Sequence, residues 1–246
     1  MNRLLRLLKR AKAETALRLG WSAPALDLVG YETLVEHIQR SGCCRIPGDF
    51  IEVGAFLGGG TVKLARLARS CGKRVWVVDI FDPGFDLTVN STGTPMASVY
   101  HAYLGRGSQE RVFRLVTKPV ADTLEILKQD SRAVVLPPDL EFAFGFIDGN
   151  HDPEYVKSDF RLAWDRLTPG GLLGLHDYGG DLPEVTRAID QLIERFGSQI
   201  ESTDLAPKQW LIFLQKKAAP IAEGAHTLDG DPVAVPSGGE SKRGIR

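Results

Sequence analysis

The chain has 246 residues, 43% apolar and 25% charged, enough for one well-buried α/β domain with tails. Its formal net charge of −1 provides no general attraction to nucleic acid or to an anionic membrane, so no nucleic-acid partner is expected. There is no apolar run of about eighteen residues or more and no signal-peptide pattern at the N-terminus, so a cytoplasmic protein is expected. The three cysteines, Cys43, Cys44 and Cys71, lack metal-site spacing and suggest neither a disulfide framework nor zinc, so free thiols are expected.

In chain order, residues 2–19 carry leucines at helical spacing with basic residues between them. This predicts an amphipathic helix that caps the domain, with membrane or partner contact as the lesser alternative. A second helix, near Tyr31 to Arg40, completes an N-terminal helical segment over residues 1–48. The core domain is expected over 49–217, with a disordered tail over 218–246, where Gly, Pro, Ser and charge replace apolar periodicity.

Within the core, the patterning predicts strands at 49–53, 74–79, 112–117, 142–148, 171–177 and 210–216, with a seventh near 199–203. Helices are predicted near 61–70, 119–129, 153–167 and 184–196. The alternation gives an α/β fold, a mostly parallel sheet with helices on both faces, in which ligands bind beyond the carboxyl ends of the strands. Glu52, Asp79, Asp148 and Asp177 fall at those ends.

The stretch Phe50-Ile-Glu-Val-Gly-Ala-Phe-Leu-Gly-Gly-Gly-Thr61 runs from a strand through a glycine-rich turn into a helix. Its Gly54-x-x-x-Gly58 spacing lacks the close glycine pair of a dinucleotide site, and the Lys-Ser/Thr of a P-loop is absent. A ligand with an adenosine ribose and no phosphates remains, and S-adenosylmethionine (SAM) meets that description. Its carboxylate would sit at the helix N-terminus, beside Gly54, Ala55, Phe56 and Gly58, with Asp79 on the ribose hydroxyls.

Phe142-Ala-Phe-Gly-Phe-Ile-Asp148 is followed by Gly149-Asn-His-Asp152 and by Pro153, which opens a helix. Leu172-Leu-Gly-Leu-His-Asp177 is a second strand ending in an acid, so Asp148 and Asp177 can converge on a hard divalent cation such as Mg2+. His151, in its neutral form, is a candidate general base toward an acceptor hydroxyl. His176 is expected to be structural, because strand alternation turns it away from Asp177. Phe160 and Trp164 share a helix face and are expected in the core. The segment from Phe81 to Arg111, with Tyr100, His101 and Tyr103, should cover the acceptor pocket.

Together, Ile51-Glu-Val-Gly-Ala-Phe-Leu-Gly58, Val77-Val-Asp79, Phe146-Ile-Asp-Gly-Asn-His151, Leu167-Thr-Pro-Gly-Gly171 and Leu175-His-Asp-Tyr178 resemble class I SAM-dependent methyltransferases. Within that class the chain resembles the small-molecule and sugar O-methyltransferases of macrocin type, which are related to catechol-type enzymes. The resemblance covers about residues 49–216 and implies a Rossmann-like, seven-stranded sheet with its last strand reversed. It further implies that Glu52 and Gly54 line the methionine part of SAM, that Asp79 holds the ribose, and that Val120 and Ala121, after the strand expected to end at Thr117, line the adenine. Asp148 and Asp177 correspond to metal-binding acids, and His151 stands where catechol-type enzymes carry a catalytic lysine. Tyr178 departs from the Asn or Asp ligand of metal-dependent relatives. The expected function is methylation of a hydroxyl on a small molecule or sugar, with a homo-oligomer left open. N-methylation, a hydroxylase-like reaction on the same scaffold, and a non-catalytic SAM-binding subunit are the alternatives.

Overall fold

The computed structural model describes residues 31–104 and 108–218. The amphipathic helix expected over 2–19 and the tail expected beyond Ala218 lie outside the described residues.

The backbone runs through α1 (Tyr31–Ser41), β1 (Asp49–Val53), α2 (Gly59–Ser70), β2 (Val75–Asp79), α3 (Met96–Leu104), α4 (Gln109–Thr117), β3 (Leu124–Lys128) and β4 (Phe142–Ile147). It continues through α5 (Pro153–Trp164), β5 (Leu167–Leu175), α6 (Pro183–Phe196), β6 (Ile200–Ala206) and β7 (Leu211–Lys216). The seven strands form one sheet in the order β3-β2-β1-β4-β5-β7-β6. β7 runs antiparallel to β5 and β6, and the remaining pairs are parallel. This is the Rossmann-like, mostly parallel sheet with a reversed strand that the sequence predicts.

Strand alternation assigns each side chain to one of two cores. Phe50, Phe144 and Phe146 pack with Leu34, Leu64 and Phe113 on one face. Ile51, Val53 and Ile147 pack with Val156, Phe160, Ile189 and Leu192 on the other. β4 is buried along its whole length, as expected for a central parallel strand covered on both sides. Phe160 and Trp164 are fully buried and stacked, in agreement with their helical spacing.

The third strand differs from expectation. Residues 112–117 lie in helix α4, and β3 falls at Leu124–Lys128, inside the segment read as a helix over 119–129. The run Val112-Phe-Arg-Leu-Val116 has β-type composition, but α4 starts at a cap: Ser108 accepts a hydrogen bond from the Arg111 backbone N–H, and Glu110 occupies the first turn. Phe113, Val116 and Thr117 then share a buried helical face. β5 begins at Leu167 rather than 171, with a register shift against β4 that accommodates Pro169 and the positive φ of Gly170.

The expectation of free thiols is also corrected. Cys44 and Cys71 form a disulfide that joins the turn after α1 to the C-cap of α2, while Cys43 is a buried free thiol. The adjacent pair Cys43-Cys44 gave no framework spacing, because a bridge depends on which residues the fold brings within reach. No helix among the described residues is long and apolar enough to cross a membrane.

Candidate active site

A cavity of about 320 Å³ opens at the carboxyl ends of β1, β2, β4 and β5. That is where the strand order reverses between β1 and β4, the place where open α/β sheets bind ligands. The loops leaving these two strands are in backbone contact: the Asp148 N–H donates to Val53 O at 2.8 Å. A Cβ on Gly54, whose φ is 85°, would stand 2.0 Å from the Asp148 carbonyl oxygen, so only glycine fits there.

Gly54, Ala55 and Phe56 line the cavity as expected. Gly58 does not. It caps α2 at φ 82°, with Thr117 and Phe113 where a side chain would go. Asp79 lines the cavity and also braces the turn. Its Oδ2 accepts from the Ala55 and Phe56 N–H groups at 2.8 and 3.1 Å, and its Oδ1 accepts from the Phe81 N–H at 2.5 Å. Burial pushes its carboxyl above the usual carboxylate range, offset in part by these N–H donors. Gln109 Nε2 lies 3.4 Å from both oxygens.

Glu52 lies outside the cavity wall and is fully buried. As the residue before Val53 it points to the α1/α2 face, where it accepts from Tyr31 Oη at 2.6 Å and from Thr61 Oγ1 at 2.7 Å. Burial pushes its carboxyl up to about 7, with the two hydroxyls working against the rise. Tyr31 takes its place in the wall, held over Gly60, where a Cβ would stand 2.2 Å from the Tyr31 ring. Val120 is core and Ala121 is exposed, and neither lines the cavity. With β3 relocated, the residues that follow the third strand are Gln129, Asp130 and Ser131, and all three line the cavity.

Where the loops after β4 and β5 line the cavity, imidazoles and carboxylates interleave. His151 and Asp177 are each 5% exposed. His151 Nδ1 lies 2.6 Å from Asp86 Oδ2, and its Nε2 lies 2.8 Å from Asp177 Oδ2. His176 Nδ1 stands 3.1 Å from both Asp148 Oδ1 and Asp177 Oδ2, without the alignment of a hydrogen bond to either. His176 therefore faces the site, contrary to the alternation argument. β5 ends at Leu175 and Asp177 adopts a left-handed φ of 62°, so period-two alternation no longer applies at the pair.

The electrostatics follow from this interleaving. Burial works against charge on His151, but the carboxylates of Asp177 and Asp86 outweigh it and push the imidazole up to about 10. Burial likewise opposes charge on Asp177, and the two histidines outweigh it, holding the carboxyl well below its usual range. In this arrangement the two carboxylates favour the charged imidazolium over the neutral form expected from the sequence. Asp148, His151 and Asp177 each offer a ligand atom within 4.8 Å of the others, a donor set that fits a divalent cation.

Residues 81–104 also help form the cavity. Phe85, Asp86, Asn90, Met96 and Tyr100 line it, while His101 is exposed. Tyr100 packs on Phe56 with ring centroids 5.4 Å apart. Asp86 was not singled out from the sequence; it lies in a loop with no periodicity, and only the fold brings it to His151.

A family model described as a methyltransferase domain matches residues 51–178, more than half of the chain. The chain belongs to this methyltransferase family. It is an enzyme of the SAM-dependent class, and the matched span runs from β1 through the glycine turn and the β4 loop to Tyr178, covering most of the residues described above. The solved structure of the O-methyltransferase NovP is similar, with a TM-score of 0.63 over 80% of this chain and 84% of its own at 18% identity. The calicheamicin methyltransferase CalS11 gives 0.59 over 85% and 91% at 16% identity. The SAH-bound methyltransferase PaMTH1 from Podospora anserina gives 0.54 over 85% and 88% at 11% identity. At such identities the likeness shows a shared fold. No curated protein matches the chain.

Proposed function

We propose that this methyltransferase transfers the SAM methyl group to a hydroxyl oxygen of a small molecule or sugar. The observation that carries the reading is the cluster of Asp86, His151, Asp148, His176 and Asp177 in one cavity with the glycine turn and Asp79. Gly54, Ala55 and Phe56 hold the methionine end of the donor, and Asp79 takes the ribose. Glu52 supports the site from behind, through Tyr31. The acceptor enters beneath residues 81–104 and Trp210. The structure of CalS11 is described as that of a TDP-rhamnose 3'-O-methyltransferase, which supports a sugar among the acceptors to be tried first.

Methyl transfer from a sulfonium is an in-line displacement, so the protein must chiefly position the acceptor oxygen and remove its proton. Asp148 and Asp177, the two carboxylates of that donor set, would hold a divalent cation, with His176 Nδ1 close enough to both to take the place of His151 as the imidazole ligand. The mixed carboxylate and imidazole set suits Mn2+, Fe2+ or Co2+ at least as well as Mg2+. Such an ion would supply Lewis acidity to the acceptor hydroxyl. With Asp177 engaged elsewhere, His151 keeps Asp86 on Nδ1 and presents Nε2 as the proton acceptor.

The test is methyl transfer from SAM to a panel of hydroxylated acceptors, comparing the wild type with His151→Ala. Turnover should fall about 10²-fold or more while SAM affinity stays within a factor of about two. An unchanged rate would remove His151 as the base.

A further inference from the structure

The cavity wall is strongly acidic. Eight aspartates line it, and among the described residues no lysine or arginine does. Asp86, Asp148 and Asp177 stand against the two histidines, while Asp82 and Asp181 reach the wall from the loops after β2 and β5. A divalent cation, the net positive charge of SAM and two protonated histidines together carry fewer charges than these aspartates. A cleft lined by one sign of charge focuses its field, so this one draws in cations and repels anions.

The rim adds a second feature. Trp210 lies between the turn Pro207–Gln209 and β7 with φ 53° and ψ 42°, a left-handed conformation that a bulky residue keeps only where its surroundings hold it. Two contacts with the loop after β5 do so. The Tyr178 N–H donates to Trp210 O at 2.9 Å, and the indole lies against Gly180, where a Cβ would stand 2.9 Å from Trp210 Cδ2. The ring held in this way lines the cavity and is 42% exposed. Asp181, the residue after Gly180, lines the cavity too. Its Oδ2 accepts from Asn90 Nδ2 at 2.8 Å and its backbone oxygen from the Ser91 N–H at 2.8 Å, which fixes the side chain and leaves Oδ1 without a partner among the described residues. An exposed aromatic face beside a fixed carboxylate is a pairing that binds ammonium groups, the ring by cation–π attraction and the carboxylate by a charge-assisted hydrogen bond.

We propose that Trp210 and Asp181 form an ammonium subsite, so that the acceptor carries a protonated amine and neither a phosphate nor a carboxylate. The inference rests on the SAM methyltransferase reading and narrows its acceptor class. An amine-bearing sugar or small molecule fits the cavity, and a sugar still joined to a nucleoside diphosphate does not. The His176 and Trp210 ring centroids are 6.5 Å apart, so a ring that brings its hydroxyl to the charged cluster reaches the subsite with a substituent.

The probes are the glucosaminide, the neutral glucoside and the glucuronide of para-nitrophenol, which share one sugar ring and differ in charge. Each is titrated calorimetrically into the full-length protein saturated with S-adenosylhomocysteine, at about pH 6, where an amine of ordinary pKa is charged. The glucosaminide should bind about tenfold or more tightly than the glucoside, and the glucuronide more weakly than the glucoside by a similar factor. Asp181→Asn keeps an acceptor for Asn90 Nδ2 and removes only the charge. This variant and Trp210→Leu should each bring the glucosaminide and the glucoside to within about threefold of each other, with S-adenosylhomocysteine affinity changed by no more than about twofold. Trp210→Phe, which keeps an aromatic face, should retain the preference. If Trp210→Leu does not fold, Asp181→Asn decides the point alone. A wild type that binds the glucosaminide no better than the glucoside, or not at all, overturns the subsite, as does a preference that survives Asp181→Asn. If S-adenosylhomocysteine does not bind the wild type, the SAM reading itself fails, and this inference with it.

Discussion

Glu52 is a buried carboxyl satisfied by the hydroxyls of Tyr31 and Thr61, and its environment predicts a pH effect on stability. Its carboxyl is raised from the ordinary value to about 7 in the folded protein. Between the ordinary carboxylate range and pH 7 the native state therefore holds a proton that the unfolded chain has released. Stability from this group is present in full below that window, falls as pH rises through it, and stays lost above about 7. Glu52→Gln should remove the dependence. Thermal unfolding at pH 8 should show the variant more stable than wild type, by roughly 2–4 °C for each kcal/mol regained, with a smaller gain at pH 5. A gain that is constant with pH would contradict the assignment. Asp79, Asp148 and Asp177 were legible because each closes an apolar run, and Glu52 because it interrupts one beside the glycine turn. Which of them would face the ligand was not: Glu52 turns inward because it precedes the last residue of β1, and His176 turns toward the site because Asp177 leaves the extended region. Asp86 carries no local signal, since only tertiary contacts bring it to His151.

At the scale of elements, the site depends on how closely two loops approach. Gly54 ends β1 in a left-handed conformation with the Asp148 carbonyl against it, so any side chain must displace the β4 loop and the two residues, Asp148 and His151, that the loop carries. Gly54→Ala should destabilise the protein by at least about 3 kcal/mol and weaken SAM binding, as followed by denaturant unfolding and calorimetry. Near wild-type stability would mean that the loops are not packed as described. The strand, turn and helix around Gly54 were readable because strand periodicity, glycines and helical spacing agree. β3 was not, because Val112-Phe-Arg-Leu-Val116 has strand composition while the cap at Ser108 and the helical face of Phe113, Val116 and Thr117 decide for α4. The misplacement pointed to Val120 and Ala121, which do not line the cavity, whereas Gln129 to Ser131, after the strand as it stands, do.

At the scale of the whole molecule, the order β3-β2-β1-β4-β5 gathers the ends of strands distant in sequence around one cavity, and the reversed β7 brings Trp210 to its rim. Alternation of strands and helices made that architecture legible, whereas the Cys44–Cys71 bridge depends on packing between α1 and α2 that no spacing encodes. The central claim is that this cavity binds SAM through the glycine turn and Asp79. Calorimetric titration of the full-length protein with SAM tests it most directly, in parallel with Asp79→Ala. The account predicts micromolar binding to the wild type, on the order of −8 kcal/mol, and a loss of about tenfold or more in the variant; absence of binding to the wild type, or equal affinity in both proteins, would contradict it.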